Sequence, residues 1–224
     1  MVTITVNGKD IQIGDHERLN LVQAAGRAGV HVPHYCWHPA LTVVASCRMC
    51  LVEVGDKQPD GSVRMQPRVV PACQTPAKNG TVVVTDSPKA KAAQQQTLEG
   101  LLLNHPLDCP VCDKAGECTL QDYSFRYGRA ESRMIDEKFA PPNKPDIGHD
   151  IALFTDRCIK CSRCVRFTRE VTGTSELMIQ GRGNKNEIDI FPGRPLDNEL
   201  SANVIDLCPV GALLDKDFLF AQRV

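Results

Sequence analysis

Residues 158–164 read CIKCSRC, which places Cys158, Cys161 and Cys164 three positions apart. A fourth cysteine, Cys208, lies far downstream and is followed directly by Pro209, so the full pattern is C-x2-C-x2-C-x43-C. Three thiolates at this spacing can wrap one corner of a cubic metal cluster, and a distant fourth can close it. The stretch therefore predicts a domain whose chain folds around a metal centre.

The same pattern, with proline after the remote cysteine, is the signature with which bacterial ferredoxins bind a [4Fe–4S] cluster. A Pro-rich linker over residues 140–149 precedes it, so we predict a ferredoxin-like domain over 140–224. The positive charge around the triplet would stabilise an anionic cluster. That charge comes from Arg157, Lys160, Arg163, Arg166 and Arg169.

A second set of ligand-type residues lies in the stretch HPLDCPVCDKAGEC, residues 105–118. Cys109, Cys112 and Cys118 leave a four-coordinate site one ligand short, and only His105 is near enough in sequence to complete it. Neutral imidazole in place of a thiolate removes a negative charge and favours a higher reduction potential. We predict that this set lies in a helical segment over 89–139.

The N-terminal segment opens with an alternating strand pattern, a hairpin signal at Asn7-Gly8 and a second alternating run. A helical pattern follows and ends at Gly29. A further strand is expected over 51–54 and a turn over 55–61. Strand, hairpin, strand and helix is the opening of a β-grasp domain, which we predict over residues 1–88.

Four cysteines of this first segment follow the pattern C-x10-C-x2-C-x22-C. Plant-type ferredoxins hold a [2Fe–2S] cluster with C-x4-C-x2-C and a distant fourth cysteine. The first gap is longer here, but the close pair and the remote ligand occur in the same order. The pattern therefore predicts a [2Fe–2S] site at Cys36, Cys47, Cys50 and Cys73.

The three sets together use all eleven cysteines and His105. An odd number of cysteines does not form a closed disulfide framework. The N-terminus lacks the pattern of a secretory signal, which points to a reducing compartment where disulfides are disfavoured. A single C-x2-C pair is also typical of zinc sites. From the residues alone, a structural zinc protein stays open as the alternative to an iron–sulfur protein.

The composition excludes several other classes of protein. With a formal net charge of -1, the chain has no global attraction to nucleic acid or anionic lipid. The longest aliphatic stretch near the middle, Leu101–Leu103, is far shorter than the ~20 residues of a membrane-spanning helix. No Ser/His/Asp arrangement and no pair of carboxylates suggests that the chain alone converts an organic substrate.

Five runs of sequence resemble a known family. They are HVPHYCWHP (31–39), SCRMCLVEV (46–54), NHPLDCPVCDKAGECTLQD (104–122), DRCIKCSRCVRFTREVTGT (156–174) and IDLCPVGAL (205–213). In this order they are similar to the N-terminal iron–sulfur region of the G subunit of bacterial NADH:quinone oxidoreductase, respiratory complex I. The resemblance covers essentially the whole chain, and the motif with the histidine is the most diagnostic.

The resemblance implies an α+β protein with three clusters. It assigns one [2Fe–2S] cluster to Cys36, Cys47, Cys50 and Cys73. It assigns a histidine-ligated [4Fe–4S] cluster to His105, Cys109, Cys112 and Cys118. It assigns an all-cysteine [4Fe–4S] cluster to Cys158, Cys161, Cys164 and Cys208.

The resemblance also implies a place in an assembly. Electrons from NADH would enter from a flavin-bearing subunit and pass through the [2Fe–2S], the all-cysteine and then the histidine-ligated cluster. They would leave through a cluster-bearing subunit of the quinone module. The chain would be a subunit of an oxidoreductase without a substrate site of its own, in a peripheral arm on the cytoplasmic side of the inner membrane, without signal peptide or transmembrane helix.

A related family gives an alternative within the same class. Most members of the complex I family continue into a domain resembling molybdopterin oxidoreductases, whereas this sequence ends at Val224. The cluster-bearing diaphorase subunit of NAD-linked hydrogenases, or of a formate dehydrogenase, would carry the same sites at a similar length. The stretches CVRFTREVTGT and RGNKNEI favour complex I.

Overall fold

The computed structural model of the protein describes residues 1–221. By their contacts these residues form two units, of which the first comprises Met1–Trp37 and Val43–Leu98. The second comprises His38–Thr42 and the chain from Glu99 onward. Helices and strands occur together in the chain, which confirms the predicted α+β class. The division into three sequence segments stays a prediction.

The first unit contains six strands, which are β1 (Val2–Val6), β2 (Lys9–Ile13), β3 (Leu51–Lys57), β4 (Val63–Met65), β5 (Val70–Pro71) and β6 (Thr81–Val84). They form one sheet with the order β2-β1-β6-β3-β4, and β5 also pairs with β3. Strand β1 runs antiparallel to β2 and parallel to β6. Ile4 and Val6 are each 1% exposed and belong to the core of this unit.

The predicted hairpin between β1 and β2 is present, because Asn7 and Gly8 both have positive φ values, of 47° and 82°. The predicted turn over 55–61 begins too early. Strand β3 continues to Lys57, and Gly55 pairs with both Met65 and Val82. A Cβ atom at Gly55 would lie 2.6 Å from the Met65 sulfur, so glycine serves close strand packing here.

Helix α1 (Leu21–Arg27) follows the hairpin as predicted. Asn20 caps its N-terminus in a capping box with Gln23, and Leu21 and Ala24 are fully buried against the sheet core. Gly29 has a φ of +77°, in agreement with its predicted place after the helix. The opening of strand, hairpin, strand and helix is therefore observed.

Helix α2 (Pro88–Leu102) begins at Pro88, a residue type that is favoured in the first turn of a helix, and lies mostly in the predicted helical segment. The Ser87 hydroxyl accepts the backbone N–H of Ala90 over 3.1 Å and so satisfies one free donor of the first turn. Gln94 is buried within this helix and donates to the Leu51 carbonyl over 3.3 Å. The division between the two units falls between Leu98 and Glu99, inside this helix.

The second unit contains three further helices, which are α3 (Thr119–Tyr127), α4 (Arg163–Glu170) and α5 (Asn203–Leu207). Its strands are β7 (Ile151–Leu153), β8 (Leu177–Gln180), β9 (Glu187–Ile190) and β10 (Leu213–Asp215). Strand β7 pairs with β10 and β8 pairs with β9, all antiparallel. Short 3₁₀ turns occupy Cys109–Val111, Thr155–Arg157 and Gly183–Lys185. From β7 onward the element order is thus β-α-β-β-α-β.

Candidate metal-cluster sites

The four cysteines of the N-terminal set lie together within the first unit. Cys36, Cys50 and Cys73 are each 1% exposed, and Cys47 is half-buried. The backbone N–H of Cys36 donates to the Cys47 Sγ over 3.4 Å. The thiols of Cys47 and Cys73 also donate to the Cys36 sulfur, which lowers the pKa of Cys36 and raises the pKa of the other two. The structure therefore brings this predicted set together.

An irregular loop carries the close pair Cys47 and Cys50, as the spacing predicts. Arg48 adopts a left-handed conformation with a φ of 59°, and its carbonyl accepts the Thr97 hydroxyl of α2 over 3.3 Å. The Cys50 carbonyl accepts the backbone N–H of Ala72 over 2.9 Å. These two bonds anchor the loop to the helix and to the segment that contains the remote Cys73.

The third set surrounds one apolar cavity in the second unit. Cys158 follows the turn Thr155–Arg157, Cys164 lies in the first turn of α4, and Cys208 follows α5 directly. Cys161 lies between Lys160 and Ser162, both with positive φ. All four cysteines line the cavity, and the remaining wall is mainly aliphatic: Leu153, Ile159, Ile188, Val210, Ala212 and Leu213.

Burial raises the pKa of three of these thiols. It raises the pKa of Cys158 to about 11 and that of Cys161 to about 12, and it raises the pKa of Cys164 well above its ordinary value. The backbone N–H of Lys160 donates to the Cys158 sulfur over 3.4 Å. Such thiols become thiolates when a cation lies beside them, which is the condition that bound iron provides. The donor set and the apolar wall fit a thiolate-bound cluster.

The second set surrounds another cavity of the same unit. His105, Cys109, Cys112 and Cys118 all line it. Cys109 begins a 3₁₀ turn, and Cys118 is the residue before α3. Burial lowers the pKa of His105, which favours the neutral imidazole that binds metals. The structure therefore brings the predicted histidine to the three cysteines, and three soft thiols with one imidazole fit an iron–sulfur cluster.

Arg157 serves a different site from the one that the sequence suggests. Its guanidinium lines the His105 cavity and donates to Asp108 Oδ2 through Nε and Nη2, over 3.2 and 3.1 Å. It also lies 4.2 Å above the Phe154 ring. Although Arg157 precedes Cys158 in sequence, the short turn that ends with it separates the two side chains. Its charge therefore acts at the second set.

The two cavities of the second unit share two stretches of chain. Arg157 lines the His105 cavity and its neighbour Cys158 lines the all-cysteine cavity. Gly211 likewise lines the His105 cavity, while its neighbours Val210 and Ala212 line the all-cysteine cavity. A Cβ atom at Gly211 would lie 2.2 Å from the Cys112 sulfur. The wall between the two predicted sites is thus one chain thick here.

Two negative findings concern residues 1–221. No group of three or more His, Cys, Asp or Glu side chains has an arrangement there that could hold a single metal ion. No helix in that range has the length and apolarity to cross a membrane.

Comparison with known families covers most of the chain. Residues 1–88 match a family described as a 2Fe-2S iron-sulfur cluster binding domain. Residues 94–133 match the NADH-ubiquinone oxidoreductase-G iron-sulfur binding region. Residues 148–214 match the ferredoxin-like domain of NADH-quinone oxidoreductase subunit 3. The predicted presence of both [2Fe–2S]-type and ferredoxin-like regions is thereby confirmed.

Individual relatives agree with the family matches. The G subunit of NADH-quinone oxidoreductase from Rickettsia bellii is 40% identical over 223 residues, which are 100% of this chain and 31% of the relative. The mitochondrial 78 kDa subunit of NADH-ubiquinone oxidoreductase from Neurospora crassa is 44% identical, over 99% of this chain and 28% of its own length. The chain therefore spans about a third of the length of these curated relatives.

A solved structure shows the same fold. A chain in the crystal structure of an NAD+-reducing [NiFe]-hydrogenase in the H2-reduced state superposes with a TM-score of 0.82 and 31% identity. The match covers 100% of this chain and 91% of that one. The chain belongs to the iron–sulfur family that includes the N-terminal region of the NADH-quinone oxidoreductase G subunit.

Proposed function

We propose that the chain is an electron relay that holds three iron–sulfur clusters. The observation that carries this proposal is that the members of each predicted set lie near one another. The N-terminal cysteines contact one another in the first unit, and each of the other two sets lines a cavity of its own. A [2Fe–2S] cluster would be held by Cys36, Cys47, Cys50 and Cys73. Two [4Fe–4S] clusters would be held by His105, Cys109, Cys112 and Cys118, and by Cys158, Cys161, Cys164 and Cys208. Such clusters supply one-electron oxidation and reduction when bound.

The protein's part in electron transfer within the second unit is to separate the two predicted [4Fe–4S] sites by a thin wall. Two segments of chain, residues 157–158 and 208–213, contribute side chains to both cavities. A single layer of backbone therefore lies between the two ligand sets there. The paired Arg157 and Asp108 keep this wall neutral on the His105 side.

The relay would work as a subunit of an NADH:quinone oxidoreductase. Electrons would arrive from a flavin- and NADH-binding subunit, and would leave the histidine-ligated cluster toward a cluster-bearing subunit of the quinone module. The assembly would form a peripheral arm on the cytoplasmic side of the membrane. Large apolar side chains exposed between α2 and β7 support contact with other subunits. They are Leu103, Leu107, Val111, Phe125, Ile135 and Phe139.

A second assembly is favoured by one observation, the TM-score of 0.82 to a chain of an NAD+-reducing [NiFe]-hydrogenase. In that assembly the same relay would connect a flavin site to a hydrogen-oxidising subunit. Purification of the protein from its host with its bound partners distinguishes the two candidates. Quinone-module subunits support the first, and a hydrogenase subunit supports the second.

Metal and sulfide analysis of the anaerobically purified protein tests the relay itself. We expect iron and acid-labile sulfide equal to one [2Fe–2S] and two [4Fe–4S] clusters, a brown colour, and three paramagnetic signals on stepwise reduction. Zinc without iron in a colourless protein would contradict the proposal and support the structural zinc alternative.

A further inference from the structure

A cavity of the second unit is lined by both polar and apolar residues, among them His105 and Cys158. His105 also lines the cavity of its three predicted cysteine partners. The cavity beside His105 and Cys158 has a volume of about 200 Å³. A single water needs only ~10–15 Å³ of such space, so several waters fit.

Three buried oxygen atoms of its lining residues have no hydrogen-bond partner within residues 1–221. They are Thr155 Oγ1, Asp156 Oδ1 and Asn186 Oδ1. Thr155 is fully buried. Lys160 lines the same cavity, yet it does not reach the Asp156 Oδ1 atom. Because buried polar atoms are nearly always paired with protein or ordered water, these three oxygens mark a hydration site.

The cavity is relevant to the ring nitrogen of His105 that would not bind the cluster. An imidazole that binds a metal through one nitrogen almost always donates its other N–H to a carboxylate, a carbonyl or a water molecule. Asp156 lines the same cavity as His105, and its buried Oδ1 atom has no hydrogen-bond partner within residues 1–221.

We propose that ordered water in this cavity connects the second ring nitrogen of His105 to the Asp156 carboxylate, with Thr155 and Asn186 holding the water in place. The inference rests on the proposed function, because it requires His105 to be a cluster ligand. Asp156 is then a positioning residue, which fixes the ring tautomer and makes the imidazole a stronger electron donor. Stronger donation lowers the reduction potential of the cluster that His105 holds.

Redox titration of the complete protein by electron paramagnetic resonance tests this chain of contacts. Asp156→Asn should raise the midpoint potential of the His105 cluster by more than that of the all-cysteine cluster. Thr155→Val and Asn186→Ala remove a water partner without changing charge, and each should raise the potential of the His105 cluster by more than that of the all-cysteine cluster. Asp136→Asn, which removes an exposed carboxylate, is the matched control and should shift neither potential.

Nuclear coupling measurements separate the inference from the proposed function. The wild type should show coupling to a ring nitrogen and to a proton that exchanges in D₂O. Thr155→Val or Asn186→Ala should weaken the proton coupling and keep the nitrogen coupling. Equal shifts of both clusters in Asp156→Asn, with no effect of the neutral variants, would overturn the water connection. Absence of nitrogen coupling in the wild type would instead overturn His105 as a ligand.

Discussion

Gly211 shows how a single residue can control a predicted cluster site. It lies in the short segment between Cys208-Pro209 and β10, and its Cα faces the sulfur of Cys112. A Cβ atom there would meet that sulfur at 2.2 Å and the Lys114 Cβ at 3.2 Å. Because any other residue must displace the sulfur or the wall, glycine is required for the close approach of the two ligand sets.

We therefore expect Gly211→Ala to disturb the His105 cluster and to spare the [2Fe–2S] cluster. The added methyl group moves Cys112 away from its cavity, and such overpacking costs about 1–3 kcal/mol of stability. Low-temperature spin resonance and anaerobic thermal unfolding measure the two effects. Gly26→Ala in α1 is the control, since Gly26 is exposed and a Cβ there meets nothing within 4 Å. Unchanged cluster signals in Gly211→Ala would contradict the thin wall.

For individual residues, the sequence predicts which side chains would be cluster ligands better than it predicts which side chains surround those ligands. The spacing of His105, Cys109 and Cys112 brings the chemistry to one stretch of chain, so the grouping follows directly from the sequence. Sequence position places Arg157 beside Cys158, whereas its side chain lines the His105 cavity, which no local pattern predicts. Asp156 and Asn186 line one cavity through tertiary folding, and no local pattern in the sequence relates them.

Helix α4 is the element that anchors the short segment His38–Thr42 within the second unit. Arg166 is 2% exposed, and its Nη1 donates to the Thr42 carbonyl over 2.5 Å. One turn later, Glu170 accepts the backbone N–H of Thr42 over 2.9 Å and its hydroxyl over 2.6 Å. Both polar groups of the Thr42 backbone are thus bound by charged side chains of one helix.

The Glu170 contacts make a pH-dependent prediction. Burial would raise the pKa of Glu170, but the bonds from Thr42 and from the neighbouring Arg169 outweigh it and lower the pKa from 4.5 to about 2. A carboxylate with a lowered pKa stabilises the fold fully above its unfolded value of 4.5, and this stabilisation is lost as the pH falls toward 2. Glu170→Gln should therefore cost about 1 kcal/mol, equally at pH 6 and pH 8.

Anaerobic thermal unfolding at both pH values measures that cost. Exposed Glu199 makes a matched control, because Glu199→Gln removes the same charge without a Thr42 contact. A difference between wild type and Glu170→Gln that grows between pH 6 and pH 8 would contradict the lowered pKa.

Elements with a strong local signal follow the sequence closely. The hairpin at Asn7-Gly8 and the helix before Gly29 occur where turn and stop residues predict them. The turn after β3 is predicted too early, because Gly55 has the composition of a turn. Glycine is needed at position 55 because Met65 packs closely against the strand there. This is a tertiary contact and leaves no local pattern in the sequence.

At the scale of the whole molecule, the distribution of cysteines follows the two units. All four cysteines of the N-terminal set lie in the first unit, and the other seven lie in the second with His105. Aromatic residues make up only 5% of the chain, so bound clusters would add to the cohesion that small aliphatic cores provide. The central claim is therefore that three independent sites, each with its own four residues, carry the function.

Spin resonance of three single variants, recorded at stepwise potentials, tests that claim most directly. Cys73→Ser should remove or alter only the [2Fe–2S] signal, His105→Ala only one [4Fe–4S] signal, and Cys208→Ser only the other. His149→Ala, at a histidine whose side chain is 89% exposed, should leave all three signals unchanged. The grouping would be contradicted if His105→Ala kept all three signals. It would also be contradicted if two of the three variants lost the same signal.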